Sequence, residues 1–518
     1  MHSFHDLTRR AFLAGSGAGI LTTGLPAMHA SASPGNAREK GKRNVLLIIA
    51  DQMTPLLTGV YGHPVVRTPN LNRLAENGIR FDAAYTPCPL CAPARACLFT
   101  GKYTSNNRVY DNAASLHCDE PTLCHYLTQA GYDTALSGKT HFVGADQLHG
   151  FRKRFIPNIY PTDFAWTKHR DKKKPKSHAR SYTGAAVKVG VENRNLTFDE
   201  NAHHHALDYL KSRNADKESE PFFLCVSYNF PHEPFWPSRE YWDLYEGAEI
   251  DIPHLPENLE ATYSAMDKWL NTHHGVDRVG VQGRESLYRL RRAYYALVTY
   301  IDTKVGQLLD SLKQNGLADN TVVIFTSDHG DMLREKNMVQ KRCFYEWSCR
   351  VPLLVSLPDG TAGGKRCDEP VSIVDLAPTI LDLAGVGEDR RLPMDGTSLM
   401  GLIRGTEAQP RIVFSEMHSE GVYTTCFMVR RGTFKYNYFH GHGVQLFDLA
   451  QDPGEWNNLA GRAKYAEIEK QLKDLILKQF DPDWIEKDLR ESLAKRLFLM
   501  DAMAGTGIDW KYEPKDIS

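Results

Sequence analysis

The residues most able to do chemistry begin in the segment CPLCAPARACLFTGK, residues 88–102. Cys88 and Cys91 form a C-x-x-C pair, a spacing typical of thiol redox chemistry and of metal binding. Cys91 also begins the sequence C-A-P-A-R, and the run from Arg95 onward favours a helix. Backbone N–H groups at such a helix N-terminus favour an anion at residue 91, with Arg95 about one turn away. A redox thiol would use the same position, so both interpretations stay open on position alone.

A second group of polar residues follows two apolar runs that lie far apart in the chain. Asp51 and Gln52 come directly after the first run, and Asp328 and His329 come shortly after the second. In open α/β sheets, ligands bind beyond the carboxyl ends of the strands. Two carboxylates and a histidine that meet at one sheet edge would make a plausible metal site. Either aspartate alone could equally cap the segment that follows it.

The elements that must position these residues are strands and helices in alternation. The apolar runs at 44–50, 221–227 and 321–326 have the length and composition of parallel strands covered on both faces. Helices are predicted at 71–77, 121–131 and 284–313. The alternation predicts an α/β fold with a large, mixed, mostly parallel sheet sandwiched by helices. We place this catalytic domain at residues 44–410.

The pattern changes from about residue 411. Short strands are predicted at 412–416, 425–430 and 433–439, followed by a helix at 463–480. Short strands that follow one another closely pair most simply as an antiparallel sheet. Residues 411–518 are therefore predicted to form a small C-terminal α+β subdomain, with an antiparallel sheet and a packed helix.

Composition and the N-terminus bound the class of protein. The chain has 518 residues, a net charge of −1 and ten cysteines, which gives no general attraction to nucleic acid and too few cysteines for a disulfide scaffold. Paired arginines precede a mildly apolar run at 11–25, and an A-x-A pattern begins at Ala30. This order predicts a twin-arginine signal peptide at 1–32 and a linker at 33–43. The run is too short for a membrane anchor, so we expect a periplasmic or secreted protein, with the Tat translocon as a partner.

The sequence C-A-P-A-R-x-x-x-x-T-G resembles the signature of the type I sulfatases, a family of the alkaline phosphatase superfamily. Further segments that resemble the family follow in order, among them N-V-L-L-I-I-A-D-Q, S-G-K-T-H-F, P-H-E-P and S-D-H-G-D-M-L. The resemblance covers most of the mature chain and is closest to choline sulfatases, through residues 110–114, 138–150 and 160–164. It implies an alkaline-phosphatase-like fold and hydrolysis of sulfuric esters. It also implies oxidation of Cys91 to formylglycine (3-oxoalanine) by a formylglycine-generating enzyme or a radical maturase.

The resemblance further implies one divalent cation. Its ligands would be Asp51, Gln52, the modified Cys91, Asp328 and His329. Calcium is expected because the donors are mostly hard oxygens, and the Asp-His pair leaves room for manganese or magnesium. Many relatives have two successive acids where this chain has Asp51 and Gln52. Choline sulfatases share this chain's departure from that pattern.

The catalytic set implied by the resemblance is Cys91, Arg95, Lys139, His141, His232 and Lys341. The hydrated aldehyde at residue 91 would offer one hydroxyl to attack sulfur, with its pKa lowered by the metal. The charge that develops would be stabilised by Arg95, Lys139 and Lys341. His232 or Lys341 would protonate the leaving oxygen, and His141 would take the proton of the second hydroxyl. Cys88 would then be a buried thiol, and the triplet at 203–205 would lie on a solvated helix.

Several further residues bear on the substrate. Asn112 resembles a residue that makes a polar contact to the sulfate. Phe164, Trp166 and Glu420 match the aromatic and acidic partners that a choline cation requires. A basic run at 172–176 and the lack of a long C-terminal arm favour a sulfated carbohydrate over choline-O-sulfate. Phosphonate monoester or phosphodiester hydrolysis, a non-catalytic sugar-binding role and a thiol oxidoreductase are the remaining alternatives. The oligomeric state is not indicated.

Overall fold

The computed structural model describes residues 42–168, 177–213, 220–407, 409–506 and 510–514. The predicted signal peptide at 1–32, most of the linker at 33–43 and the basic run at 172–176 lie outside the described residues. Within the described residues, no helix has both the length and the apolar character needed to cross a membrane.

An eight-stranded sheet forms the centre of the fold. The strands of the first 372 residues are β1 (Asn44–Asp51), β2 (Ile79–Phe81), β3 (Ala84–Tyr85), β4 (Asp133–Gly138), β5 (Lys153–Arg154), β6 (Phe222–Pro231), β7 (Thr321–Ser327), β8 (Leu353–Ser356), β9 (Lys365–Cys367) and β10 (Val371–Ser372). The sheet order is β5-β4-β6-β1-β7-β8-β2-β9, and β3 pairs with β10 in a separate ribbon. Only β8 runs antiparallel to its neighbours, β7 and β2. The predicted mixed, mostly parallel sheet is confirmed.

The α-helices of the described residues pack on both faces of this sheet and, near the C-terminus, against a second sheet. They are α1 (Pro69–Glu76), α2 (Cys91–Thr100), α3 (Thr104–Asn107), α4 (Leu123–Gln129), α5 (His178–Ser181), α6 (Arg194–Ser212), α7 (Arg239–Asp243), α8 (Ala265–His274), α9 (Val276–Val279), α10 (Arg284–Gln314), α11 (Glu346–Cys349), α12 (Leu376–Leu383), α13 (Met400–Arg404), α14 (Ala466–Gln479) and α15 (Pro482–Met503). Side chains of β1 alternate between two cores, with Leu46 and Ile48 in one and Val45 and Leu47 in the other. This alternation explains why the strand is a continuous apolar run.

A second, antiparallel sheet follows near the C-terminus. It contains β11 (Ile412–Met417), β12 (Cys426–Arg431), β13 (Phe434–Phe439) and β14 (Gly443–Asp448), in that order. The three predicted strands and the helix after them are confirmed, while β14 and α15 were not predicted. Helices α14 and α15 share one hydrophobic core with this sheet and with Cys97 and Tyr110. The boundary at 410/411 stays a prediction.

The prediction that the histidine triplet at 203–205 lies on a solvated helix is wrong in part. In the triplet at 203–205, His204 and His205 are exposed on α6, but His203 is buried and lies 2.8 Å from the hydroxyl of Tyr228. Because α6 packs against β6, every third or fourth side chain of the helix faces the sheet. Cys88 is a buried thiol, as predicted.

Candidate active site

The topology brings the polar residues of two strand ends together. Strands β1 and β7 are parallel neighbours, with Ala50 opposite Ser327, so Asp51 and Asp328 emerge side by side. Both carboxylates are fully buried. Ligand atoms of Asp51, Cys91, Asp328 and His329 all lie within 4.8 Å of one another. Four of the five predicted metal ligands therefore form one cluster.

The donor set of this cluster fits a divalent cation. One carboxylate oxygen of Asp51, Oδ1, is buried with no hydrogen-bond partner among the described residues. A buried carboxylate oxygen without a donor is costly unless a cation binds it. With two carboxylates and an imidazole converging on residue 91, a metal ion accounts for this oxygen without further donors.

Gln52, the fifth predicted ligand, makes a different set of contacts. Its amide oxygen accepts a hydrogen bond from Lys341. Its amide nitrogen lies 2.5 Å from the carboxylate of Asp331, 2.8 Å from the Tyr182 hydroxyl and 3.0 Å from Glu233. The side chain thus connects Lys341 to the carboxylates of Asp331 and Glu233, and its role as a metal ligand stays a prediction.

Arg95 is oriented toward the carboxylates of the cluster. It is fully buried and donates to Asp328 at 2.9 Å and to Asp51 at 3.2 Å. Its third nitrogen, Nη1, donates to the Ser227 hydroxyl and to the backbone carbonyl of Lys139, both at 2.7 Å. These contacts fix the orientation of two predicted metal ligands. The Lys139 ammonium also contacts Asp51.

Cys91 is the first residue of α2, where the helix N-terminus favours an anion. Although burial alone would raise the pKa of Cys91, Lys139, Lys341 and His329 together lower it well below its usual value. Burial raises the pKa of Cys88 well above its usual value. The two cysteines of the C-x-x-C pair therefore lie in opposite electrostatic environments, and only residue 91 is prepared for a negative charge.

Two histidines beside Cys91 have pKa values that are shifted in opposite directions. Burial lowers the pKa of His141. Burial would also lower the pKa of His232, but the carboxylate of Glu233, 3.2 Å away, raises it above its usual value. The two environments therefore move the pKa values of the two rings apart. Such a separation suits a general base and a general acid.

This difference predicts the pH dependence of a carboxylate variant. In Glu233→Gln, His232 loses the charge that raises its pKa, so the protonated acid is lost at lower pH. The alkaline limb of the kcat/KM profile should then move toward lower pH, which steady-state kinetics across a pH series would measure. Glu420→Gln, which removes another cavity carboxylate, serves as the control. An alkaline limb that stays in place in Glu233→Gln would remove His232 from the role of acid.

A cavity of about 430 Å³ opens from this centre. It is lined by Cys91, Asn112, His141, Tyr160, Trp166, Lys168, His178, Asn195, His232, Glu233, Pro234, Gln340, Lys341, Arg342 and Glu420. Of the predicted substrate contacts, Asn112, Trp166 and Glu420 line it. Phe164 does not, and packs edge-on against Trp510 at 5.3 Å.

Several lining residues were not predicted. Glu233 and Tyr160 lie inside segments that resemble the family, so their position was available as a signal. Gln340 and Arg342 flank Lys341, but nothing in their spacing distinguishes them from an ordinary polar loop. Arg342 donates to Glu420 at 2.7 Å, and the other carboxylate oxygen of Glu420 accepts from the backbone of Asn112 at 2.9 Å.

The chain is similar to known proteins over most of its length. The family model Sulfatase matches residues 43–386, and the model for the C-terminal region of N-sulphoglucosamine sulphohydrolase matches residues 334–481. Choline-sulfatase of Rhizobium meliloti (strain 1021) is 38% identical over 491 residues, covering 92% of this chain and 94% of that protein.

Solved structures resemble the chain over a similar extent. A protein solved in complex with its substrate D-glucosamine-2-N,6-O-disulfate is 25% identical, with a TM-score of 0.65 and coverage of 87% of this chain and 98% of that chain. The phosphonate monoester hydrolase of Agrobacterium radiobacter is 24% identical, with a TM-score of 0.69 and coverage of 87% and 96%. At that identity the likeness concerns the fold alone.

Proposed function

The chain belongs to the sulfatase family and is a sulfuric ester hydrolase with an alkaline-phosphatase-like fold, and from this premise we propose its nucleophile, metal and substrate. The nucleophile is formylglycine formed from Cys91, and the cation is Ca²⁺. The substrate is a sulfated carbohydrate. The observation that supports the proposal most is the meeting of residue 91 with two buried carboxylates and a histidine within 4.8 Å.

The cation would be held by Asp51, Asp328, His329 and residue 91, and it would supply Lewis acidity toward oxygen. Formylglycine, as its hydrate, would supply one hydroxyl for attack on sulfur and a second that can later lose its proton. The remaining chemistry belongs to the surrounding side chains. Lys139 and Lys341, both buried beside residue 91, are placed to stabilise the negative charge that grows on the sulfuryl oxygens.

The two histidines carry the proton transfers. His232, which its neighbour Glu233 keeps protonated to higher pH, is placed to protonate the oxygen of the leaving alcohol. His141, which burial keeps neutral, is placed to accept the proton that is released when sulfate departs. Arg95 acts through its carboxylate partners, Asp51 and Asp328, whose positions it fixes.

The charge of the cavity supports an anionic, polyhydroxylated substrate. Three permanent cations line it, Lys168, Lys341 and Arg342, against two carboxylates. Both carboxylates face cations, since Glu420 pairs with Arg342 at 2.7 Å and Glu233 lies beside His232. A quaternary ammonium would therefore meet an excess of positive charge, whereas sugar hydroxyls could use the amide and imidazole groups of Asn112, Asn195 and His178.

Choline-O-sulfate is the second candidate. The identity of 38% to a choline-sulfatase supports it, and Trp166 offers an exposed aromatic face of the kind that binds a trimethylammonium group. Against it, the carboxylate of Glu420 is already held by Arg342 and Asn112.

A substrate comparison tests the proposal. Hydrolysis by the purified protein would be measured as sulfate release from D-glucosamine 6-sulfate, a sulfated disaccharide and choline-O-sulfate, and as phenol release from a phenyl phosphonate monoester. We expect the largest kcat/KM for a sulfated sugar. A larger kcat/KM for choline-O-sulfate would assign the second candidate. A preference for the phosphonate would overturn the assignment to sulfate esters.

Export and maturation are part of the same proposal. The paired arginines and the apolar run within residues 1–32 support a twin-arginine signal, and hence a periplasmic or secreted enzyme. Oxidation of Cys91 requires a formylglycine-generating enzyme or a radical maturase as a partner.

A further inference from the structure

A buried ion pair lies behind one wall of the cavity. Arg496, on α15, donates from two guanidinium nitrogens to the two carboxylate oxygens of Asp111, at 2.7 and 2.8 Å. Each side chain is only 5% exposed. Two parallel charge-assisted hydrogen bonds give such a pair a defined orientation, which a single point contact would not.

The pair connects α15 to three chain segments. The Arg496 nitrogen that donates to Asp111 at 2.7 Å also lies 3.4 Å from the hydroxyl of Thr167. The carboxylate of Asp111 also accepts from the hydroxyl of Ser419, at 3.5 Å, and from the backbone N–H of Ala113, at 2.9 Å. These partners lie at positions 111–113, 167 and 419, which are remote from one another in the sequence.

Each connected segment carries a residue of the cavity wall in the adjacent position. Asn112 follows Asp111, Trp166 precedes Thr167, and Glu420 follows Ser419; all three line the cavity. The wall is also bonded within itself, because the backbone N–H of Asn112 donates to Glu420. The Asn112 amide oxygen accepts from the backbone of Ala92, next to the nucleophile.

We infer that the Arg496–Asp111 pair is a positioning device that fixes the wall formed by Asn112, Trp166 and Glu420, and so determines how tightly the alcohol part of the substrate is held. The inference rests on the proposed placement of the substrate in this cavity. Arg496 does not touch the reacting atoms; it acts through the three segments that it joins. Loss of the pair should loosen substrate binding more than it slows the chemical step.

A control is available on the same helix. Asp488, also on α15, accepts a hydrogen bond from the Tyr110 hydroxyl at 2.7 Å. This contact anchors α15 to the residue before Asp111, but among the described contacts it does not reach Thr167 or Ser419. If Arg496 serves only to dock the helix, Asp488→Asn and Arg496→Gln should have the same effect.

The experiment compares wild type, Arg496→Gln, Arg496→Lys and Asp488→Asn in the full chain. The substrate is the one with the highest kcat/KM for the wild type, and p-nitrophenyl sulfate is the small reference. We expect Arg496→Gln to raise KM for the preferred substrate roughly tenfold, the size expected for one lost set of hydrogen bonds, with kcat changed less than about twofold. Arg496→Lys keeps the charge without the planar fork and should give an intermediate KM.

The outcomes separate this inference from the proposed function. The identity of the preferred substrate tests the proposed function by itself, whatever the variants do. An unchanged KM in Arg496→Gln, or an equal rise in Asp488→Asn, would overturn the positioning role. A fall in kcat equal to the fall in kcat/KM would do the same. If Arg496→Gln does not fold, as judged by its thermal unfolding, the KM of Arg496→Lys decides by the same criteria.

Discussion

Cys91→Ala should reduce sulfate release by about 10⁴-fold or more, because the variant loses the group that forms the covalent bond to sulfur. The fold should survive, since alanine is a good helix former at the first position of α2 and removes only one buried sulfur. The measurement is single-turnover and steady-state release of sulfate by the wild type and the variant. The affinity for the substrate should fall much less than the rate of sulfate release, because the cavity wall and the lysines stay in place.

Cys88→Ala is the matched control, because it removes the other sulfur of the C-x-x-C pair from a buried apolar site. It should keep activity near that of the wild type. Peptide mass spectrometry of the active wild-type protein should find residue 91 without sulfur and reactive toward a hydrazine. A free thiol at residue 91 in fully active protein, or equal losses in the two alanine variants, would reject the proposed nucleophile.

Asp51→Asn should abolish binding of the divalent cation and lower kcat/KM by about 10³-fold. The buried Oδ1 atom of Asp51, which has no hydrogen-bond partner in the described parts of the chain, is the oxygen that the cation would neutralise. The substitution also removes a negative charge from between Arg95 and Lys139, so the variant should unfold at a lower temperature than the wild type. Metal content after dialysis, by plasma mass spectrometry, gives a result that is independent of activity.

Asp302→Asn controls for the loss of any buried carboxylate. Asp302 accepts from the backbone of Asn70 and Leu71 at the start of α1, away from the metal cluster. The Asp302→Asn variant should be less stable than the wild type but should still bind the metal ion. Chelation of the wild type should abolish activity, and Ca²⁺ should restore both activity and the unfolding temperature. Asp51→Asn protein that retains a full complement of metal would contradict the proposed ligand set.

The metal cluster could be predicted from the sequence because it depends on topology. A strand buried on both faces tolerates polar side chains only where it ends, so Asp51 and Asp328 mark two strand ends in the sequence itself. Parallel neighbours then bring those ends to one edge of the sheet. The position of Cys91 at the helix N-terminus was predictable for a similar reason, since Pro93 and the residues after it favour a helix.

Contacts between side chains far apart in the chain could not be predicted in this way. Arg496 and Asp111 are separated by 385 positions, and nothing local to either residue indicates the other. The side chain of Gln52 follows a backbone with a φ of 66°, a conformation that the sequence did not suggest for a glutamine. Phe164 packs edge-on against Trp510, a residue 346 positions away, and does not line the cavity. The packing of side chains determines these contacts, and a pattern of residue types does not specify that packing.

The burial of helix α2 has a consequence for the proposed oxidation of Cys91. All ten of its residues are buried, and residue 91 lines a cavity of about 430 Å³, far too small to admit another enzyme. The proposed oxidation of Cys91 would therefore have to take place before this segment folds. Translation, oxidation and folding would then follow one another, and chains that folded before oxidation would keep an inert thiol at residue 91.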